Sequence, residues 1–196
     1  MSKPSLREDI LNAGLKVMFK TGYQGATVRD ICAAAGAPHG SFTNHFRSKE
    51  AFAREVLDRY FANLQGYVKE ALEDRSLTPL ARLRRYLDII SGVLEADHWS
   101  RGCLIGDFSL ETTAQSELLR ERLEAIFREW LAPFASCIAE AQVGGEIDRT
   151  FEPMDLAEFL LSSWEGAILR MKVERGPAAL DRFKNIVFQT IFKEQR

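Results

Sequence analysis

The chain has 196 residues, a formal charge of −2 and 46% hydrophobic residues, which suits one large or two small domains with real cores. No charged leader precedes an apolar block and no apolar run reaches the roughly 18 residues of a membrane helix, so we expect a cytoplasmic protein without a signal peptide. Residues 1–50 hold seven Lys/Arg against four Asp/Glu and the remainder holds 19 against 24, which fits a basic, polyanion-binding module on an acidic body.

Helix signals follow one another along the chain, and no segment alternates apolar and polar residues as a strand does. Ser5 and Thr27 are each followed three residues later by an acidic residue, as at helix N-termini. Proline after Thr78 and Glu152 fits a first helical turn, and Gly22 stands where a helix should stop. The pattern predicts an all-α fold of about nine helices, at about 5–21, 27–34, 38–45, 48–73, 78–97, 103–112, 116–143, 154–174 and 177–194.

The segment Thr27–Phe46 contains two of these helices, both short, joined by a glycine turn. Apolar residues such as Ile31 fall on one face of the first helix, and Gly36 ends it. In the second helix Phe42 and Phe46 are four residues apart and should point inward. Two short helices joined in this way are typical of a helix-turn-helix, whose second helix fits the major groove of DNA.

The outward positions of the second helix carry small, polar side chains. Asn44 can make a bidentate contact with adenine, and Ser41 and His39 can reach base edges. Thr27 caps its helix and leaves the first amides facing a phosphate, while Arg29 could reach a phosphate or a guanine. The residues that we expect to contact DNA are Thr27, Arg29, Pro38, His39, Gly40, Ser41, Thr43, Asn44, His45 and Lys49.

The same segment resembles the DNA-binding signature of the TetR/AcrR family of bacterial regulators. The resemblance covers about residues 6–60 and implies a helix-turn-helix domain at 1–50, with the fourth helix (about 48–73) as a link. It also implies a helical ligand-binding and dimerisation domain at 51–196 and release from DNA when a ligand binds. The motifs that carry it are Thr27-Val28-Arg29-Asp30-Ile31, Ala35-Gly36, Gly40-Ser41-Phe42, His45-Phe46 and Ser48-Lys49-Glu50-Ala51.

One position departs from the family pattern. Members usually carry a tyrosine where this chain has Thr43, and that tyrosine typically contacts the DNA backbone or a base. Threonine keeps a hydroxyl but loses reach and aromatic surface. We therefore expect the affinity for DNA to depend more on Asn44, His45 and Lys49.

The last two predicted helices form an αα-hairpin around a short turn at Gly176. Apolar stripes run along both, from Leu156 to Met171 and from Leu180 to Ile191. Such a hairpin can pack against its copy as a four-helix interface, and the family resemblance implies a homodimer through about 154–194. Both stripes could equally close the core of the single subunit.

A glycine-bracketed stretch from Arg101 to Glu111, together with Pro38–Phe52, resembles the NemR-type branch of the family, whose members respond to reactive electrophiles. This resemblance implies a sensing thiol at Cys103, which a helix N-terminus and Lys172 would stabilise as the thiolate. The alternative is a buried core cysteine, the commoner role of a free thiol.

We expect a small-molecule effector to bind among the fourth to eighth helices, in a mostly apolar pocket with a few polar groups. Any of the candidate residues could instead belong to the core. The candidates are Tyr86, Trp99, Cys103, Phe108, Phe134, Trp164, Met171 and Lys172.

The sequence shows no motif for catalysis or for a resident metal or cofactor. The three cysteines, among them Cys32 and Cys137 on apolar faces, lie far apart without metal-site spacing. No nucleophile elbow or phosphate-binding loop is visible, so we predict no enzyme, no cofactor and no metal.

The sequence predicts a ligand-responsive transcriptional regulator, a repressor released from a palindromic operator by a small molecule or electrophile. The alternative is a helical protein–protein adaptor that has lost DNA binding, which the departure at Thr43 would support.

Overall fold

The computed structural model describes residues 5–193, which form nine α-helices and no β-strand, as the sequence predicts. Two predicted features lie outside the described residues: Lys3, one of the seven basic residues counted in 1–50, and residue 194, the last of the predicted ninth helix. No helix in the described range combines the length and the apolarity needed to cross a bilayer. The helices are α1 (Leu6–Gly25), α2 (Val28–Ala34), α3 (Ser41–His45), α4 (Lys49–Leu72), α5 (Pro79–Ala96), α6 (Leu104–Thr112), α7 (Glu117–Val143), α8 (Pro153–Glu174) and α9 (Ala178–Thr190).

Polar caps and prolines set the helix starts. The Oγ1 of Thr27 accepts a hydrogen bond from the amide of Asp30 at 3.1 Å, and Thr78 caps α5 in the same way. Pro79 and Pro153 occupy the first positions of α5 and α8, where a missing amide hydrogen costs nothing. These local signals explain why the predicted starts of α2, α5 and α8 lie within a residue of the observed ones.

Left-handed glycines set two of the helix ends near the N-terminus. Gly22 has a φ of 72° and breaks the helical backbone of α1 next to the predicted end, after which the chain makes one more turn to Gly25. Gly36 has a φ of 63°, and the amide of Ala37 beyond it donates to the carbonyl oxygen of Cys32 at 2.9 Å, which closes α2.

The chain divides into two compact units. The first contains the residues up to Asn63 together with Leu104–Ala125, and the second contains Leu64–Cys103 and the residues from Ile126 onward. Helices α4 and α7 contribute residues to both units, and α6 belongs to the first. The functional boundary expected at residue 50 stays a prediction.

The second unit has a core of large apolar side chains from α5, α7, α8 and α9. Tyr86 is wholly buried, and its ring meets that of Phe134 edge-on with centroids 4.8 Å apart. The indole Nε1 of Trp130 donates a hydrogen bond to the hydroxyl of Tyr86 at 3.2 Å. Arg82 is buried as well, where it donates to the backbone oxygen of Leu72 and to the carboxylate of Glu140.

The apolar stripes of α8 and α9 lie mostly inside this core. Leu156, Leu160, Met171 and Leu180 are buried in the single subunit. Of the two roles that the sequence allowed for these stripes, closing the subunit's own core is the one that the structure shows. A different apolar face of the hairpin is exposed, and its members are Phe159, Leu169, Val173 and Ile186.

Candidate nucleic-acid interface

Aromatic packing holds α3 from behind. Phe42 and Phe46 are buried, and their ring centroids lie 5.1 and 4.7 Å from that of Phe52 on α4. A Cβ on Gly14 would fall 2.2 Å from the ring of Phe52, so only glycine lets α1 approach so closely. The inward direction of Phe42 and Phe46 agrees with the prediction from the sequence, whereas the contribution of Phe52 was not predicted. Its position in the first turn of α4, four residues after Ser48, is the feature of the sequence that could have indicated this packing.

The opposite edge of the motif is open to solvent. Of the ten residues expected to contact DNA, Ser41 and Lys49 are half-buried and the other eight are exposed. Asn44 lies directly opposite Phe42 on a helix with 100° between residues, at the centre of this edge. We call the exposed face formed by Gly40, Ser41, Thr43 and Asn44 the α3 edge.

Gly40 has no structural need for its missing side chain. Its φ is −65° and its ψ is −16°, which any residue adopts, and a Cβ there would meet nothing within 4 Å. Gly40 is the N-cap residue of α3, a position at which glycine is preferred over alanine. The open space at its Cβ position leaves room for the close approach of another molecule's backbone.

The hydroxyl groups of two candidate contacts, Thr27 and Thr43, have hydrogen bonds within the protein. The hydroxyl of Thr27 donates to the carboxylate of Asp30 at 2.6 Å while it caps α2, so both ends of that hydroxyl are in use. The hydroxyl of Thr43 donates to the carbonyl oxygen of Gly40 at 3.0 Å. Arg29 next to Thr27 is exposed, as are Asn44 and the other side chains of the edge apart from half-buried Ser41.

Lys49 makes contacts within the first unit. Its Nζ lies 4.6 Å from the ring centroid of Tyr23 and donates to the carbonyl oxygen of Gln24 at 3.4 Å. Burial lowers the pKa of Lys49, and the nearby charge of Glu111 opposes that change. The ammonium therefore supports the turn between α1 and α2, a role that the sequence analysis missed.

Helix α6 and the turn that follows it, which contains Gln115, meet the same segment through contacts that were not predicted from the sequence. The carboxylate of Glu111 accepts a hydrogen bond from the amide of Gln24 at 2.9 Å, and the side chains of Gln24 and Gln115 bond at 2.6 Å. A Cβ on Gly22 would fall 2.4 Å from the Glu111 carboxylate. The ring of Phe108 packs on that of Tyr23 with centroids 5.6 Å apart. We call the set Phe108, Glu111 and Gln115 the α6 clamp.

The second unit brings together several of the expected effector residues. Burial raises the pKa of Tyr86 well above its usual range; the hydrogen bond from Trp130 opposes this, and the nearby Cys103 and Glu165 reinforce it. The Nζ of Lys172 lies 3.6 Å from where a Cβ on Gly102 would stand, one residue before Cys103.

The other effector candidates are divided between the units. Trp164 and Met171 are buried in the second unit, where the indole of Trp164 packs on Phe183 at 5.5 Å between centroids. Trp99 is half-buried with a left-handed φ of 57°. Phe108 belongs to the first unit as part of the α6 clamp.

All three cysteines are buried and reduced. Burial raises the pKa of Cys137 to about 11, and it raises the pKa of Cys32 as well, so both thiols stay protonated at neutral pH. Cys103 directly precedes α6 and is 7% exposed. Within residues 5–193 no group of His, Cys, Asp or Glu side chains is arranged to hold a metal ion.

Two family models match the chain. Residues 10–56 match the model of bacterial regulatory proteins of the tetR family, and residues 79–187 match a tetracyclin repressor-like C-terminal domain. The first of these matches contains the helix-turn-helix with its aromatic packing, and the second contains the whole of α8. Together the two models match the predicted DNA-binding part and most of the predicted C-terminal helical part of the chain.

Curated relatives match over most of their length. The chain is 44% identical to the HTH-type transcriptional repressor DhaR of Mycobacterium sp. (strain GP1), covering 97% of this chain and 94% of that protein. It is 36% identical to the transcriptional regulator AcuR of Cereibacter sphaeroides, over 90% and 80%, respectively. It is 27% identical to the HTH-type transcriptional repressor NemR of Escherichia coli, over 92% and 93%.

Solved structures share the fold. The regulatory protein TetR from Rhodobacter sphaeroides superposes with a TM-score of 0.89 at 33% identity, covering 94% of this chain and 98% of that one. Reduced NemR from Escherichia coli superposes with a TM-score of 0.83 at 25% identity, over 97% and 99%. The chain therefore belongs to the TetR family of bacterial regulatory proteins.

Proposed function

We propose that this protein is a homodimeric repressor that binds a near-palindromic operator through the α3 edge and is released by a small effector. The observation that carries the proposal is the open α3 edge, where even a Cβ on Gly40 would meet nothing within 4 Å. Beside it Asn44 offers a bidentate partner for adenine, and Arg29 offers a cation for a phosphate or a guanine. DNA is the ligand that these groups fit together, and a DNA-binding function supports the proposal of a cytoplasmic location.

The exposed face of the α8–α9 hairpin supports a homodimer. Leu169 is 55% exposed and Val173 is 75% exposed, and Ile186 on α9 is exposed as well. A Cβ on Gly166 would meet nothing within 4 Å, so the middle of α8 has room for a second helix. An apolar face of this kind, on the same hairpin that the family resemblance implicates, suits a four-helix interface between two copies. Two copies would present two α3 helices to two half-sites.

The buried polar groups of the second unit support an effector that carries a hydrogen-bond acceptor. The indole Nε1 of Trp164 is buried and has no acceptor within the described part of the chain. A buried donor without an acceptor costs free energy, which a ligand oxygen would recover. A ligand that binds this state differently from the DNA-bound state would change operator affinity by that difference.

Cys103 supports a second way of release. Lys172 lies beside Gly102, so its ammonium is close to the backbone next to the Cys103 thiol and would favour the thiolate. Addition of that thiolate to an electrophile would alter the residue joined by one peptide bond to Leu104 of α6.

Replacement of Cys103 by serine tests this route. We expect the operator complex of the C103S variant to survive N-ethylmaleimide that releases the parent. Equal release of both would reject the thiol route and leave the repressor proposal standing.

Selection of duplex DNA by the purified protein tests the proposed function. From a random duplex library we expect enrichment of a near-palindrome, with two protein chains per duplex. The affinity should fall steeply with salt, because phosphate contacts release counterions. A library without any enriched duplex, or an affinity that does not depend on salt, would instead favour the adaptor function.

A further inference from the structure

Thr43 is an outward residue of α3 whose hydroxyl is already used within the protein. Its Oγ1 donates to the carbonyl oxygen of Gly40 at 3.0 Å, and the residue is exposed. A threonine hydroxyl has one hydrogen, so Thr43 has none left for a base. It can still offer a partner its Cγ2 methyl group and an oxygen that only accepts.

Open space lies next to this side chain. Gly40 stands three residues before Thr43, and residues at this spacing are neighbours on a helix surface. A Cβ on Gly40 would meet nothing within 4 Å, so no side chain fills the position beside Thr43. Asn44 stands four residues after Gly40 and borders the same space. A group that approaches Gly40 would thus lie near two exposed side chains, those of Thr43 and Asn44.

We propose that Thr43 reads thymine in the operator, through contact of its Cγ2 methyl group with the C5-methyl group of the base. In the major groove the C5-methyl group distinguishes thymine from the other three bases. The proposal rests on the proposed DNA-binding function and adds to it the base that this position selects. With Asn44 on adenine, each half-site would contain a T·A pair next to, or one step from, an A·T pair.

Removal of a single methyl group from the DNA tests this contact. The probe is the duplex that the full-length protein enriches from a random library, with each thymine replaced in turn by deoxyuridine, which lacks only the methyl group. For one thymine per half-site we expect the parent's affinity to fall about fourfold, the effect of one buried methyl group. The measured quantity is the ratio of the affinities for the thymine and deoxyuridine duplexes, so changes common to both cancel.

Three variants identify the group that reads the base. The T43S variant keeps the hydroxyl and lacks the methyl, so its ratio should fall to one. The T43V variant lacks the hydroxyl and keeps methyl groups, so its ratio should stay near that of the parent. Thr113, which directly follows α6, is the matched control because its hydroxyl also donates to a helix carbonyl oxygen, that of Ser109, at 3.0 Å. The T113S variant should keep the parent's ratio.

Each other outcome overturns the proposal. A parent that binds every deoxyuridine duplex as tightly as the thymine duplex has no methyl readout. Discrimination that is lost only in T43V would assign the readout to the Oγ1 oxygen, and discrimination that is lost in both variants would show that the methyl group alone does not read the base. Discrimination that is kept in both would assign the readout to another residue. All of these leave the operator complex intact, whereas a library without an enriched duplex means that the proposed function itself fails.

Discussion

At the level of single residues, a substitution at Gly40 tests DNA binding separately from the stability of the fold. Its backbone angles are those of any helical residue and its Cβ position is open, so alanine fits there without strain. We expect the G40A variant to differ from the parent by no more than about 1 kcal/mol in its free energy of unfolding. Its operator affinity should nevertheless fall at least about tenfold, because a methyl group would stand between the helix and the DNA.

The matched control for this prediction is Gly66. It lies within α4, and a Cβ there would also meet nothing within 4 Å. The G66A variant should bind the operator like the parent in a fluorescence anisotropy titration. Equal affinities of G40A and the parent would show that Gly40 does not serve a close approach to DNA.

The sequence predicted the outward and inward sides of α3 because a helix repeats every 3.6 residues, whatever surrounds it. Asn44 is outside and Phe42 inside for that reason alone. The environment of Lys49 could not be predicted, since it depends on Tyr23, 26 positions earlier in the chain. The same holds for the hydroxyl of Thr43, whose bond to Gly40 is one of several that a threonine in a helix can make.

At the level of helices, α6 connects the end of α1 to residues far along the chain. The carboxylate of Glu111 holds the amide of Gln24 in the turn that precedes α2. Removal of this acceptor in the E111A variant should lower the local opening free energy of the turn by about 1 kcal/mol. The exchange rate of the Gln24 amide hydrogen should then rise about fivefold, as measured by hydrogen exchange at amide resolution.

Glu121 provides the control for the α6 clamp because it lies exposed on α7 in the same unit. We expect the E121A variant to leave the exchange of the Gln24 amide unchanged. Unchanged exchange in E111A as well would show that the clamp does not hold the turn.

Helices α5 and α7 are joined by an ion pair with a pH dependence of known sign. The hydrogen bond from Arg82 is the main cause that lowers the pKa of Glu140 below 4.5, and burial partly opposes it. A carboxyl group with a depressed folded pKa stabilises the native state above its ordinary pKa. This stabilisation is lost as the pH falls from about 4.5 through the lower folded value.

We therefore expect the E140Q variant to unfold more easily than the parent at pH 7, by roughly 1–3 kcal/mol, because Arg82 stays buried without its charge partner. The difference should shrink as the pH falls below 4.5, the ordinary value for this carboxyl group. Urea titrations at several pH values measure it, with the exposed Glu73 replaced by glutamine as the control. A difference independent of pH would contradict the assignment.

The helix boundaries were predictable because caps and breakers act locally. The exposed apolar face of the hairpin was not. Leu160 and Leu169 are both apolar residues of α8, yet Leu160 is buried and Leu169 is 55% exposed. Which stripe is buried in the subunit and which remains outside depends on the surface that packs against α8, and residue spacing alone does not contain that information.

For the whole molecule, recognition of a near-palindrome requires two copies. The exposed face around Leu169 should be covered by the partner subunit, and a carboxylate placed there would be buried without a partner. We expect the L169E variant to sediment as a folded monomer at concentrations at which the parent is a dimer. Its operator affinity should fall with the loss of the second half-site.

Leu110 on α6 is the control because it is 81% exposed and lies in the other unit. The L110E variant should remain a dimer. A dimeric L169E variant would place the interface elsewhere on the chain.

DNA recognition by the α3 edge is tested most directly by the operator affinity of the N44A variant, measured against that of the N63A variant. Asn63 is also an exposed asparagine, on α4. We predict that N44A loses about 1–3 kcal/mol of operator binding, the value of one bidentate base contact, while N63A binds like the parent. Equal operator affinities of N44A, N63A and the parent would contradict base recognition by this edge.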